Sequence, residues 1–382
     1  MTTQKILTRN FVLCFFAQFT FAFVFHILIP TLPIYLSKLG TSEVEIGVLI
    51  GSLGFSSLVL RPFVGRALLK SAEKHFMITG ALIFALASIA YLVTSPFWPF
   101  LIVRIFQGIA MACFYTAAVT LITTISPEAH RGQSLSYFYL AFNISFALAP
   151  ALGMFLINRF SFTLLFLICL GLSLCSIFFS TQLEKRHVES IEGVSHQGES
   201  FLSRDALPSS IMAFFGNIIW GALTTFFPLY ALNQGVTNPG FFFTAFAIVL
   251  ILGRVLGGKL LDRYRRETVI LPCCTTYIVS MVILAFSKTL PMFILVAVIW
   301  GIGNAFFWPT LLAYVLERAG SSRGPAIGTY TAIGDLGIFL GPVIMGVVLR
   351  FTNYPVMFLC LALVGAINLN YFLFYVRKKG RR

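Results

Sequence analysis

The sequence predicts an all-α polytopic membrane protein, with twelve transmembrane helices arranged as two pseudo-symmetric six-helix bundles. Three observations predict it. The 382 residues are 58% hydrophobic and only 10% charged, whereas an ordinary soluble domain is about 25% charged; mean hydropathy is +0.91. The apolar runs are continuous over about 20 residues or more, the length a membrane helix needs, and do not alternate as barrel strands do. The second half of the chain repeats short motifs of the first. Since a bilayer leaves no backbone group unpaired, spans built from such runs are helices.

The elements follow in order. Helix 1 is read over 9–36. The basic start with the apolar stretch after it is similar to a signal peptide, but the run is too long and no small-residue cleavage site follows, so it is read as a span. Helices 2 to 6 are read over 44–69, 76–95, 98–125, 133–158 and 161–181, and helices 7 to 12 over 208–233, 239–261, 268–287, 291–316, 324–350 and 354–376. The mixed-charge, apolar-poor stretch between the sixth and seventh runs reads as a linker. The domains are therefore an N-terminal bundle 1–181, a cytoplasmic linker 182–207, a C-terminal bundle 208–376 and a basic cytoplasmic tail 377–382.

The repeat supports this division. Pro33, Tyr35 and Gly40 end helix 1, and Pro228, Tyr230 and Gly235 end helix 7, 195 residues later. Arg61 and Gly65 match Arg254 and Gly258 at an offset of 193, and Gln107-Gly108 matches Trp300-Gly301 at the same offset. Arg131-Gly132 and Pro150 match Arg323-Gly324 and Pro342 at 192.

Charge placement sets the expected orientation. The net charge of +14 could signal nucleic acid, but the basic residues do not form one soluble patch. Twenty Lys and Arg precede helix 1 or follow even-numbered helices, four lie on the opposite face, and Arg61, Arg104 and Arg254 are inside helices. The positive-inside rule makes the richer face cytoplasmic, with both termini on it. The basic tail then serves as an anchor near anionic headgroups, and no nucleic-acid partner is expected. The membrane is read as the plasma membrane, which in a prokaryote is the inner membrane. All seven cysteines lie in apolar runs and read as packing residues, with no disulfide framework and no metal spacing.

Three stretches carry a family resemblance. "GRVLGGKLLDRYRR" resembles the loop signature G-x-L-x-D-R-x-x-R of the major facilitator superfamily, here Gly258, Leu260, Asp262, Arg263 and Arg266. "RIFQGIAMA" resembles the R-x-x-Q-G of helix 4 in proton-coupled members of that family. "APALG" resembles the helix 5 signature of its antiporters, with Ala149 in place of the first glycine. The resemblance covers essentially the whole chain and points to the twelve-helix, proton-coupled drug and metabolite efflux branch. It implies a cytoplasmic latch in which Asp262 and Arg263 meet the start of helix 5 near Arg131. In the first half Leu69 occupies the aspartate position, so a symmetric latch is not expected.

Charged groups inside a span cost about 2.5–3.5 kcal/mol on insertion scales and so mark function or pairing. The internal set is His26, Arg61, Arg104, Arg254 and Asp335. Arg61 is ~12 Å and Asp335 ~16 Å from the cytoplasmic ends of their helices at 1.5 Å per residue. The resemblance implies that helices 2 and 11 face each other, which makes Arg61–Asp335 a candidate pair. Its repeat twin is Arg254 with the neutral Asn143. Two readings stand side by side: protonation of Asp335 drives the conformational cycle, or the pair is static packing. Arg104 has Gln107 on its own face, three residues on; it either faces the solute path or bonds to carbonyls. His26 is a candidate proton carrier or a packing histidine.

Candidate cavity residues are Gln107, Tyr115, Asn217, Trp300, Asn304, Trp308 and Tyr330, with Phe25, Phe114, Phe226 and Phe307 as apolar lining. Many aromatics and few charges suit an amphipathic or lipophilic solute. The expected function is secondary active transport by alternating access, with proton-driven export of a small amphipathic compound. An importer of a metabolite or metal complex, and a non-transporting receptor or scaffold, are the competing readings. No cofactor is expected, the coupling ion is expected to be H+, and the chain is expected to act as a monomer in the lipid bilayer. No nucleophile–base spacing, zinc motif or phosphate loop points to an enzyme.

Overall fold

The computed structural model describes residues 7–127, 130–184, 203–263, 265–319 and 323–377, without the side chains of 131–132, 256–263, 318–319 and 323–325. Most of the predicted linker and the end of the basic tail lie outside the described residues.

The described chain is helical, with no strand among the described residues. The helices are α1 (Arg9–Lys38), α2 (Glu43–Ala67), α3 (Glu73–Val93), α4 (Trp98–Ile125), α5 (Arg131–Arg159), α6 (Phe162–Thr181), α7 (Leu207–Asn233), α8 (Gly240–Arg263), α9 (Arg266–Phe286), α10 (Leu290–Ala319), α11 (Arg323–Phe351) and α12 (Tyr354–Tyr371). The last continues into a π-helical turn at Phe372–Val376. Among the described residues, eleven helices are long and apolar enough to cross a bilayer, and α8 adds a shorter apolar stretch, Gly240–Val255.

Helix ends follow local chemistry. Ser42 and Glu45 form a reciprocal capping box at the start of α2: the Ser42 N–H donates to Glu45 Oε2 at 2.9 Å, and the Glu45 N–H to Ser42 Oγ at 3.4 Å. Ser161 and Asn353 cap α6 and α12 by accepting from Leu164 and Val356 N–H groups. The glycines of the repeated P-x-Y-x-x-x-x-G motif terminate α1 and α7. Gly40 and Gly235 have φ of 78° and 81°, the left-handed region that only glycine adopts freely. At both ends the N–H after the glycine reaches back to Leu36 or Ala231 carbonyl, and the glycine N–H to Ser37 or Leu232 carbonyl. This is the Schellman pattern.

The chain divides into two compact units, Met1–Tyr35 with Ser52–Val194, and Leu36–Gly51 with Ser195–Arg382. In the first, α3 packs on α4 and α6; in the second, α9 packs on α10 and α12, the same pairing six helices on. The core of the first is aromatic: Phe21 stacks on Phe114 with centroids 3.9 Å apart and also meets Phe84. Lys74 Nζ donates to the carbonyl of Thr181, the last residue of α6, and to that of Leu183 just beyond it at 2.8 Å, where a cation suits the helix C-terminus. In the second, Phe227 packs on Phe242 and Phe293. The repeated tyrosines act alike inside their own units: Tyr35 donates to Tyr91 O at 3.1 Å, and Tyr230 to Ser287 O at 2.6 Å. Each pins the end of its helix to the end of the third helix of the same half.

The second unit holds its densest helix contacts around α11. A Cβ placed on Gly337 or Gly341 would sit 2.3 and 2.4 Å from the Phe214 and Ile218 carbonyl oxygens of α7. One on Gly221 of α7 would sit 2.6 Å from Ile338 O. The first turns of α2 use the same device, since Gly47 and Gly51 press on Pro342 and Phe339 carbonyls, and Gly346 on that of Glu43. Small residues let backbones approach this closely, which is how helices associate where lipid offers no hydrophobic drive.

Candidate functional site

In the first unit, polar groups from α1, α2, α4 and α5 gather inside apolar helices. Arg104 of α4 is 6% exposed. Its Nη1 donates to Gln107 Oε1 at 2.8 Å, the partner expected from their spacing. The Tyr91 hydroxyl of α3 donates to the same oxygen. Gln107 therefore serves as a shared acceptor for a buried guanidinium and a buried phenol.

About two turns beyond Gln107 on α4, Tyr115 lies within electrostatic reach of Arg61 of α2 and Tyr139 of α5, and is hydrogen-bonded to the Gln18 side chain of α1. Arg61 is half-buried. Its surroundings in its own unit thus include phenols, which help to solvate a cation that an open lipid face would not. Tyr115 meets Phe142 edge-on at 5.7 Å, and Asn143 beside it is half-buried.

His26 is 1% exposed on α1. It packs edge-on against Phe142 and Phe146 and beside Phe25. Its Nδ1 is 2.7 Å from Ser145 Oγ of α5. The Ser145 hydroxyl donates to Phe142 O at 2.8 Å, so it accepts from the histidine, which fixes the proton on Nδ1 and leaves Nε2 as the acceptor.

In the second unit, α10 carries three of the sequence-predicted residues on one network. Asn304 is 2% exposed. Its Oδ1 accepts from Tyr277 hydroxyl at 3.0 Å and from Trp308 Nε1 at 2.9 Å, while its Nδ2 donates to Trp300 O at 2.8 Å. Trp300 stacks on Trp220 of α7, centroids 5.2 Å apart, and on Phe246 of α8. Trp308 and Phe307 pack over Gly216 of α7. Asn217 faces Gly334 and Gly337 of α11. Tyr330 is buried, Asp335 half-buried, and Arg254 exposed. Phe114 and Phe226 are fully buried in packing.

The predicted latch, Asp262, Arg263 and Arg131, lies outside the described residues as far as side chains go. Arg266 of the same loop signature pairs with Glu317 of α10, Nε to Oε1 3.1 Å. Sequence reading missed Gln18, Tyr91, Tyr139 and Ser145. None carries a formal charge, and their partners sit on other helices, so spacing alone gives no signal for them.

Apolar helices of membrane length, with arginines, a histidine and an aspartate held on them, are those of an integral membrane protein. The family model of the Major Facilitator Superfamily matches residues 14–242 and again 210–382. The chain belongs to that superfamily and is a transporter rather than an enzyme. It is 25% identical over 360 residues to the staphylopine export protein of Staphylococcus aureus (strain Mu50), covering 90% of each chain. It is also 25% identical over 363 residues to multidrug resistance protein 2 of Bacillus subtilis (strain 168), again covering 90% of each. Among solved structures it is similar to a point variant of the nucleoside transporter NupG, at TM-score 0.79 and 18% identity over 95% of this chain and 99% of that one.

Proposed function

We propose that the protein is a proton-coupled exporter of a small amphipathic or lipophilic compound, working by alternating access. The observation that carries this reading is full-length similarity, 90% of both chains, to relatives described as export and multidrug resistance proteins. The aromatic character of the polar clusters supports a largely apolar solute. In this reading the chain has twelve spans in two six-helix bundles, 1–181 and 208–376, joined by a cytoplasmic linker 182–207 and ended by the basic tail 377–382. Both termini are cytoplasmic, the membrane is the plasma membrane, and a single chain is the working unit, with no nucleic-acid partner.

Asp335 is the proton carrier in this reading, because it is the one carboxylate well inside a span. Its counter-charge is Arg61; protonation removes that attraction and lets the cycle proceed. Arg104, seated on Gln107, tunes the pathway electrostatically, and Arg254 with the neutral acceptor Asn143 is the repeat counterpart of the switching pair. Asp262, Arg263 and Arg131 close the cytoplasmic side.

Everted membrane vesicles test this. With an imposed inside-acid gradient and a lipophilic fluorescent cation as probe, the native protein accumulates the probe and Asp335→Asn does not. Gradient-driven uptake retained in Asp335→Asn removes that residue from coupling. Probe movement in the opposite sense under the same gradient selects the importer reading, and no flux at all selects the receptor or scaffold.

A further inference from the structure

Between α9 and α10, inside the second unit, lies a cleft of about 340 Å3. Val269 and Cys273 are its buried floor, and Pro272, Thr276, Ile302 and Phe306 line its sides. It is open outwards: Pro272 is exposed, and Ile302 is 46% exposed. Thr276 spends its hydroxyl on Cys273 O at 2.7 Å, so the interior is apolar. The helices touch at Gly303, where a Cβ would sit 2.1 Å from Thr276 Oγ1. A water needs two to four polar partners, and such a surface does not supply them. An unfilled void forfeits dispersion contacts. Both helices are long and apolar enough to cross a bilayer, so the neighbour able to fill the cleft is a lipid chain.

The cleft leads to a cation. Arg265, Thr268, Pro272 and Thr276 recur at spacings of three and four, which share one helix face. Thr268 lines the cleft at its mouth, and its N–H donates to Arg265 O at 2.9 Å. Arg265 is exposed there, while its neighbour Arg266 is engaged by Glu317. From Arg265 to Thr276 the helix rises ~16 Å.

The internal repeat shows that the fold does not dictate this arrangement. Helices α3 and α9 begin at Glu73 and Arg266 and end at Val93 and Phe286, the same offset at both ends. At that offset Cys273 matches Gly80, Pro272 matches Thr79, and Arg265-Arg266 matches Ala72-Glu73. In the first copy a Cβ on Gly80 would sit 2.7 Å from Ala110 O, so α3 and α4 meet backbone to side at that level. The second copy has a cysteine and a proline there, and a basic pair at the helix start.

We propose that this cleft binds one acyl chain of an anionic phospholipid, with the lipid phosphate held at Arg265. Basic residues at the cytoplasmic end of a gap between membrane helices favour anionic headgroups. The inference takes its leaflet from the orientation proposed above and nothing from the proton cycle.

The test uses the full-length protein, purified in a mild detergent and freed of lipid. It receives equal amounts of dioleoyl phosphatidylglycerol and dioleoyl phosphatidylcholine, which share their chains and differ in headgroup charge. Bound lipid is counted by native mass spectrometry. The native protein is expected to retain phosphatidylglycerol about fivefold over phosphatidylcholine, the preference one cation near a headgroup confers. Arg265→Gln brings that ratio to about one. Ile302→Trp adds bulk at the rim of the cleft and lowers retention of both lipids; Thr268→Trp, at the mouth, replaces it where Ile302→Trp does not fold. A phosphatidylglycerol carrying a diazirine in its acyl chain labels the segments 266–276 and 302–306 of the native protein on photolysis. Labelling confined to other helices, a native ratio of one, a ratio that survives Arg265→Gln, or full retention in the tryptophan variants overturns the proposal. So does displacement of the phospholipid by the lipophilic cation of the flux experiment, which would make the cleft a solute entrance. No gradient is involved, so a failed flux experiment with intact lipid selectivity rejects proton-driven export and not this site.

Discussion

At the residue scale, Asn304 and Gln107 illustrate how an uncharged amide organises its surroundings. Asn304 uses three hydrogen bonds, all inside its own unit, to fix Tyr277, Trp308 and the backbone of α10. Asn304→Leu leaves the buried Tyr277 hydroxyl and the half-buried Trp308 N–H without their acceptor, and a buried orphaned group costs about 1–3 kcal/mol. The variant is expected to lower the unfolding midpoint clearly in detergent and to loosen the Trp308 indole, seen as a red shift of its emission. An unchanged midpoint would show that the amide is dispensable. The sequence marked Asn304 and Trp308 as polar-capable residues at mid-helix. It did not reveal that Tyr277, 27 residues earlier on α9, claims the same oxygen. Arg104 and Gln107 were legible as a pair because a helix places residues three apart on one face. Gln18 and Ser145 were not, because their significance comes from neighbours on α4 and α5.

At the element scale, the glycines of α11 decide how closely helices meet. Gly337 has Phe214 O 2.3 Å from where a Cβ would stand, and that atom is backbone, which cannot move aside without moving α7. Gly337→Ala is therefore expected to destabilise the protein strongly and to reduce the yield of folded material. Gly171 on α6 has nothing within 4 Å of its would-be Cβ. Gly171→Ala should be neutral or stabilising, by up to about 1 kcal/mol through helix propensity. Thermal unfolding of the two variants side by side gives the comparison, and equal behaviour would refute the close-contact account. Helix positions themselves were readable because membrane length and apolar continuity leave few alternatives. The ends of α1 and α7 were readable as motifs, and their cause is now visible: a pinning tyrosine followed by a left-handed glycine in each copy. What a linear reading could not assign was the face of each glycine, since that depends on which helix packs against it.

At the scale of the whole molecule, charge placement carries the remaining expectation. Twenty basic residues against four is a strong imbalance for loops as short as these, and such an imbalance sets which way a chain is threaded. The turn after α1, with Gly40, Thr41 and Ser42, would then lie outside the cell, and the C-terminus inside. Leu39→Cys, exposed in the same turn, should react with a membrane-impermeant maleimide added to intact cells, and a fluorescent protein fused to the C-terminus should mature in the cytoplasm. The native cysteines leave the experiment clean: Cys14, Cys113, Cys169, Cys273 and Cys274 are buried, Cys360 is partly covered, and the exposed Cys175 lies within the apolar span α6. A polar maleimide has no aqueous route to it. Labelling of Leu39→Cys only after the membrane is permeabilised would invert the orientation. It would also place Arg61 and Asp335 nearer the opposite face, so that the proton entry and release sides of the proposed cycle would exchange.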